Sequence, residues 1–325
     1  MLKPWNLTLY TIISIACILL VAVMFAGCSA PASRPAPVPM TTAVTVQPAA
    51  AVTTPTEVPV QATGTTAPAP TTVAVTATPA PVYTPSEKTL IVYTAASLKG
   101  ASRQLGTEFS KMYPGHSVIF NLDGTQAIKT QVENGAYADV FISASNSYTN
   151  TLKGEGYFIN DTVKTLTTNY VIVIVPASNP GKITSLKDLA APGKKIAMAG
   201  STVPVGTATY AVLANLAKST YGADWNKSVF SNVVTYETAE PAVATKVSLG
   251  EVDAGFVYES TYTAAPAGTL AAITIPKADN YLQTYTIGVT KQTKSSGIAQ
   301  EFENFMLAKP LGQQILKDYG FRPVS

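Results

Sequence analysis

Thr89-Leu90-Ile91-Val92-Tyr93-Thr94-Ala95-Ala96-Ser97-Leu98 decides the architecture of this chain. Its first half is a short run of β-formers with almost no polar interruption, the pattern of a buried strand. Small residues then turn the chain. Over residues 98–112 the apolar positions Leu98, Ala101, Leu105 and Phe109 recur at the spacing of one helix face. A strand feeding an amphipathic helix opens a strand–helix–strand unit.

Reading outward, 117–120 is a second strand, 127–134 a short helix stopped by Gly135, and 139–143 a third strand. This alternation predicts an α/β fold with a parallel sheet. The pattern then repeats. A long apolar strand at 170–175 is a candidate crossover. It is followed by a short helix at 185–189, a strand at 195–198, a helix at 207–218, a strand at 233–236, a helix at 242–249 and a strand at 254–258. The chain returns through a strand at 284–289 to two helices and Tyr319-Gly320-Phe321. Two such sets within 88–325 predict two lobes with a cleft between them. The first takes about 88–168 plus 285–325 and the second about 169–284. Hinges are expected near 168–171 and 284–287.

Upstream the composition changes. Residues 29–86 are mostly Pro, Thr, Ala and Val, with Arg34 and Glu57 the only charges. Such a segment cannot bury enough apolar surface to offset its ordering entropy, and it reads as a disordered, partly polyproline II stalk. At ~3.1 Å per residue its contour reaches at most ~170 Å. Its Thr-Pro content resembles O-glycosylated stalks. Before it, an apolar run preceded by Lys3 ends in Ala26-Gly27-Cys28. This resembles a lipoprotein signal peptide, 1–28, cleaved before Cys28, whose thiol then carries lipid. An uncleaved membrane anchor is the alternative, because the run approaches spanning length. Either reading holds the remainder outside the cytoplasm, tethered to the outer face of the cytoplasmic membrane.

The whole chain has 325 residues and a formal net charge of +3. That balance gives no reason to expect a nucleic-acid partner. Cys17 and Cys28 are the only cysteines and His116 the only histidine. The mature globular part therefore has no disulfide, no thiolate metal site and no HExxH zinc site, and a Ser-His-Asp triad would have to use His116.

Three places share one design: a strand ends, small residues turn, a helix begins. They are Thr94-Ala95-Ala96-Ser97-Leu98, Asp123-Gly124-Thr125-Gln126 and Val203-Pro204-Val205-Gly206-Thr207. Free N–H groups at a helix N-terminus carry the positive end of the helix dipole and suit an anion. Ordinary capping by Ser and Thr is the other reading of the same pattern.

Several runs are together similar to the periplasmic molybdate-binding protein family. They are Tyr93-Thr94-Ala95-Ala96-Ser97-Leu98, Gly135-Ala136-Tyr137-Ala138-Asp139-Val140-Phe141-Ile142-Ser143-Ala144, Gly250-Glu251-Val252-Asp253-Ala254-Gly255-Phe256-Val257-Tyr258 and Pro310-Leu311-Gly312-Gln313-Gln314-Ile315-Leu316-Lys317-Asp318-Tyr319-Gly320-Phe321. The resemblance covers 88–325 in order. It implies a type II periplasmic-binding-protein fold, with two α/β lobes, a hinge and an interlobe ligand cleft. It also implies an oxyanion site. The family's serine falls on Ser97, its second hydroxyl on Thr125, its turn N–H donor on Val205 and its tyrosine donor on Tyr258. Its remaining backbone donor, usually a valine, falls on Glu240. A related archaeal molybdate/tungstate group has a glutamate there, paired with an aspartate before the Pro-x-Gly turn, and both carboxylates join the metal's coordination shell. This chain has Val203-Pro204 where the aspartate would fall. Glu240 is therefore a ligand to the Mo or W, a backbone donor, or an exposed helix-start carboxylate.

The chemistry agrees with such a ligand. Molybdate and tungstate are dianions without a proton at neutral pH, so a pocket of neutral donors fits them. Neutral donors also avoid the desolvation cost of a buried Lys or Arg. Discrimination from sulfate then rests on cavity size. The resemblance implies a monomeric receptor without a cofactor that delivers molybdate or tungstate to an ABC permease, held at the bilayer through Cys28. The alternatives are the same receptor class for sulfate, phosphate or an organic acid, an extracellular enzyme using a pair among Asp123, Asp139, Glu240 and Asp253, and a surface interaction module.

Overall fold

The computed structural model describes residues 81–324. The described residues fall in one compact unit. The signal peptide, Cys28 and nearly all of the stalk lie outside the described residues. Among the described residues no helix is long and apolar enough to cross a membrane.

The strands are β1 (Thr89–Ala95), β2 (Ser117–Asp123), β3 (Val140–Ser143), β4 (Lys164–Pro176), β5 (Ile196–Ala199), β6 (Val233–Glu237), β7 (Ala254–Tyr258), β8 (Leu270–Ile273), β9 (Leu282–Val289) and β10 (Arg322–Pro323). The helices are α1 (Lys99–Met112), α2 (Thr125–Glu133), α3 (Asn146–Gly154), α4 (Pro204–Leu216), α5 (Ala223–Ser231), α6 (Glu240–Ser248), α7 (Glu259–Thr263), α8 (Ser296–Leu307) and α9 (Gly312–Asp318). Helix α1 is preceded by a 3-10 turn, Ala96–Leu98. The strand order is β2-β1-β3-β9-β4-β7-β5-β6, with β8 and β10 also on β4.

β1 explains why the opening stretch is apolar on both sides. Leu90 and Val92 face the main core with Leu98, Leu105 and Phe109, while Ile91 and Tyr93 face a second cluster with Ile128, Phe141 and Phe158. Alternate side chains of a strand point to opposite faces, so helices must cover both.

The expected parallel sheet is in fact mixed. β1 pairs in parallel with β2 and β3, and β5 with β6 and β7. β4 and β9 run antiparallel to their neighbours. β4 joins the two parallel sets: Lys164–Tyr170 pairs with β9, and from Val171 the same strand pairs with β7 and then β8. The handover between Tyr170 and Val171 lies within the expected crossover at 168–171. The second expected hinge, 284–287, lies inside β9, which pairs on both sides with the first set through β3 and β4. The return path between the sets is the 274–281 segment joining β8 to β9.

The folded contacts begin ahead of the expected start at 88. Tyr83 packs edge-on against Tyr93, ring centroids 6.2 Å apart, and the Ser86 carbonyl accepts from Ser295 Oγ at 3.2 Å.

Candidate functional site

The five residues on which the resemblance places the anion site, Ser97, Thr125, Val205, Glu240 and Tyr258, meet at one small cavity of ≈ 10 Å³. Its wall contains Ala95, Ala96 and Ser97 after β1, Gly124 and Thr125 after β2, Ala144 after β3, Val203–Val205 after β5, Glu240 after β6 and Tyr258 at the end of β7. Both parallel sets contribute the carboxyl ends of three strands. Ligands in open α/β sheets bind outside those ends, because there the loops and the helix N-termini point the same way. No Lys or Arg lines the cavity, so any attraction for an anion comes from neutral dipoles.

Local sequence fixes each donor. After β5 the chain turns over Gly200 and enters α4 at Pro204, whose missing N–H is harmless in a helix's first turn. The Val203 carbonyl accepts from the Thr207 N–H at 2.9 Å and closes the first helical turn. Gly206 is required there: a Cβ would stand 2.0 Å from the Gly200 carbonyl oxygen. That contact presses the start of α4 against the strand end and carries Val205 into the cavity wall.

Thr125 opens α2 and is buried. Its Oγ1 accepts from the Ala144 N–H at 3.1 Å, which leaves its own hydrogen to donate elsewhere. Ser97 Oγ lies 2.8 Å from the Tyr285 hydroxyl. The Tyr258 hydroxyl donates to Gln283 Oε1 at 3.0 Å. Burial pushes the Tyr258 phenol well above its ordinary range, with the nearby charges of Tyr285 and Glu240 adding to the effect. It is a neutral donor throughout the physiological range.

Glu240 is buried, which excludes the exposed reading. Its Oε1 accepts from the Tyr258 N–H at 2.7 Å. Burial raises its carboxyl to about 7, against the opposing pull of the Tyr258 N–H and the Thr261 side chain. It is the only carboxylate in the cavity wall, where the Pro-Val-Gly turn presents Val203 and Pro204.

The other acidic candidates serve the fold. Asp139 Oδ2 accepts from the Ile91 N–H and its Oδ1 from Thr293 Oγ1, at 2.8 and 2.6 Å. Asp253 Oδ2 accepts from the Lys195 N–H at 2.8 Å. Asp123 Oδ1 accepts from the Gly124 N–H at 2.7 Å.

Sequence reasoning missed the residues behind and across the cavity. Gln283 and Tyr285 alternate on one face of β9, a buried polar spacing inside an apolar strand that could have drawn attention. Two further contacts join the loops of the two strand sets: Gln126 Nε2 donates to the Thr238 carbonyl, and the Tyr148 hydroxyl to the Thr202 carbonyl, each at 2.7 Å. A larger cavity of ≈ 390 Å³ adjoins Ser97, but Ala, Pro and Gly make up much of its wall and Lys99 is its one charged residue.

Residues 90–322 match the family described as bacterial extracellular solute-binding proteins. The chain is 30% identical over 238 residues to the molybdate-binding protein ModA of Mycobacterium tuberculosis, covering 73% of this chain and 86% of that one. It is 27% identical to the putative ABC transporter substrate-binding lipoprotein YvgL of Bacillus subtilis, covering 73% of this chain and 88% of that one. In structure it is similar to the substrate-binding domain of a putative molybdenum ABC transporter from Clostridium difficile, with a TM-score of 0.57, 28% identity, and coverage of 73% of this chain and 99% of that one. These are binding proteins rather than enzymes. The chain belongs to the bacterial extracellular solute-binding proteins, and within them to the molybdate-binding proteins.

Proposed function

We propose that this protein is the lipid-anchored receptor of an ABC importer, and that it captures molybdate or tungstate and delivers it to a membrane permease. The observation that carries the reading is the convergence of Ser97, Thr125, Val205 and Tyr258 on one small cavity built from six strand ends and free of Lys and Arg. Two hydroxyls and the N–H groups of helix first turns make a site of neutral donors, and the Tyr258 phenol joins them once its hydrogen turns from Gln283 Oε1 to the anion. Each charge-assisted hydrogen bond to a dianion is shorter and stronger than a neutral one. The family relatives called molybdate-binding support the same reading.

Glu240 restricts the chemistry. A dianion beside an ionised buried carboxylate would be repelled. The site accepts a dianion best with Glu240 protonated, unless the carboxylate coordinates the metal. Loss of the two loop-to-loop contacts, Gln126–Thr238 and Tyr148–Thr202, would open the cavity, with the Tyr170/Val171 handover and the 274–281 segment as the moving joints. The receptor works as a monomer.

Equilibrium dialysis of the full chain in detergent against sodium molybdate tests the ligand. The reading expects saturable, one-to-one uptake that Ser97→Ala weakens; no uptake of molybdate or tungstate would reject it. The anchor is tested at Cys28. Mass spectrometry should find a diacylglyceryl-modified Cys28 at the mature N-terminus, and Cys28→Ser should free the protein from membranes.

A further inference from the structure

Behind the Ser97 hydroxyl lies a buried chain of side chains that fixes which way its hydrogen points. Asn169 and Tyr285 are both fully buried, on neighbouring strands β4 and β9. Asn169 Oδ1 accepts from the Tyr170 N–H at 2.9 Å. A backbone N–H can only donate, so this bond fixes the orientation of the amide. The Asn169 NH2 group must therefore face the interior. There it donates to Ser260 Oγ at 2.8 Å. The Tyr285 hydroxyl is fully buried and its one hydrogen-bond partner among the described residues is Ser97 Oγ, 2.8 Å away, so its single hydrogen goes there rather than staying buried and unpaired. Ser97 then has its own hydrogen free for the cavity.

We infer that Tyr285 is a positioning residue for oxyanion binding: it donates to Ser97 Oγ and so commits the Ser97 hydrogen to the bound anion. The inference rests on the assignment of Ser97 to the anion site. The arrangement parallels that at Thr125, where the Ala144 N–H takes the oxygen and frees the hydrogen. Hydrogen bonds in such a chain polarise one another, so the terminal donor is also strengthened. It requires no added charge: burial holds the Tyr285 phenol far above its ordinary range, so it stays neutral.

The test is a double-mutant cycle on the full chain in detergent, titrated calorimetrically with sodium molybdate: wild type, Ser97→Ala, Tyr285→Phe and both together. Tyr285→Phe keeps the ring that packs against Tyr258 and Phe321. The expected result is a loss of about three- to tenfold in affinity for Tyr285→Phe alone, the scale of one hydrogen bond. In the Ser97→Ala background the same change should have almost no effect. A loss of equal size in both backgrounds would mean that Tyr285 acts by packing, and would overturn the inference while leaving Ser97 in the site. So would an unchanged affinity for Tyr285→Phe where Ser97→Ala binds weakly. If Ser97→Ala itself binds as the wild type does, the site assignment fails first and takes the relay with it. Should Tyr285→Phe not fold, 3-fluorotyrosine placed at 285 keeps the ring and hydroxyl but alters the donor strength; a change in affinity seen with Ser97 and lost in Ser97→Ala is the expected result, and an equal change in both backgrounds, or none in either, the contrary one.

Discussion

Replacing Glu240 with glutamine should change the pH dependence of stability in a calculable way. Burial raises the carboxyl from its ordinary 4.5 to about 7. Between those values the folded protein holds a proton that the unfolded chain has released. Stability therefore falls as pH rises through this window, and the full penalty applies above pH 7. A shift of this size corresponds to about 3 kcal/mol, or roughly 6–12 °C in Tm for a domain of this size. Glutamine keeps an oxygen for the Tyr258 N–H and has nearly the same shape, but it does not titrate. The assay is thermal unfolding of ligand-free wild type and variant at half-unit steps from pH 5 to 8.5. The difference in Tm, variant minus wild type, should rise through the window and level off above pH 7. A difference that is constant across the range would refute the claim that Glu240 titrates in the folded state. Other groups move both proteins alike and drop out of the comparison.

Other consequences follow from the same geometry. Molybdate affinity of the wild type should fall as pH rises above 7, since an ionised Glu240 repels the dianion, and should be flat in the glutamine variant; calorimetry at pH 6 and 8.5 compares them. Thr125→Ala should weaken binding by at least about fivefold, one hydrogen bond to a charge, while Thr125→Ser should retain most of the affinity. Gly206→Ala forces a Cβ to within 2.0 Å of the Gly200 carbonyl oxygen. The backbone must shift, at a cost of about 1–3 kcal/mol in urea unfolding, with loss of anion binding because the Val205 N–H moves with it. Tyr148→Phe removes a bond to the Thr202 carbonyl that holds the two loops together. It should enlarge the scattering radius of the ligand-free protein and speed anion release, with little change in Tm.

The parts of the fold that announced themselves in the sequence have strong local signals. β1 and α1 are a hydrophobic run followed by a helix-spaced one, and both stand where expected. Ser97, Thr125 and Val205 were legible because each lies where a strand ends in small turn residues, whereas Glu240 and Tyr258 were placed by the family resemblance alone. The first half of β4 was not. Its Thr165, Thr167, Thr168 and Asn169 read as polar, and the burial of Thr167 and Asn169 depends on β9 and β10 lying alongside. Helix α3 was missed for a similar reason: it is rich in Asn, Ser and Thr, weak helix formers, and relies on Ser145 accepting from the Tyr148 N–H. The partner of Ser97 was beyond reach, since Tyr285 is 188 residues away along the chain. The state of Glu240 was equally hidden. A carboxylate at a helix start is ordinarily exposed and favoured by the dipole. Here the Tyr258 backbone and the cavity wall close over it, and only the packed structure shows this.

Sulfate has the charge and shape of molybdate, so a site of neutral donors separates the two by size alone. The most direct test is calorimetric titration of the ligand-stripped full chain, in detergent at pH 6.5, with molybdate, tungstate, sulfate and phosphate in turn. Tight one-to-one binding of molybdate and tungstate is expected, with sulfate and phosphate weaker by orders of magnitude. Equal or tighter binding of sulfate or phosphate would refute a molybdate receptor.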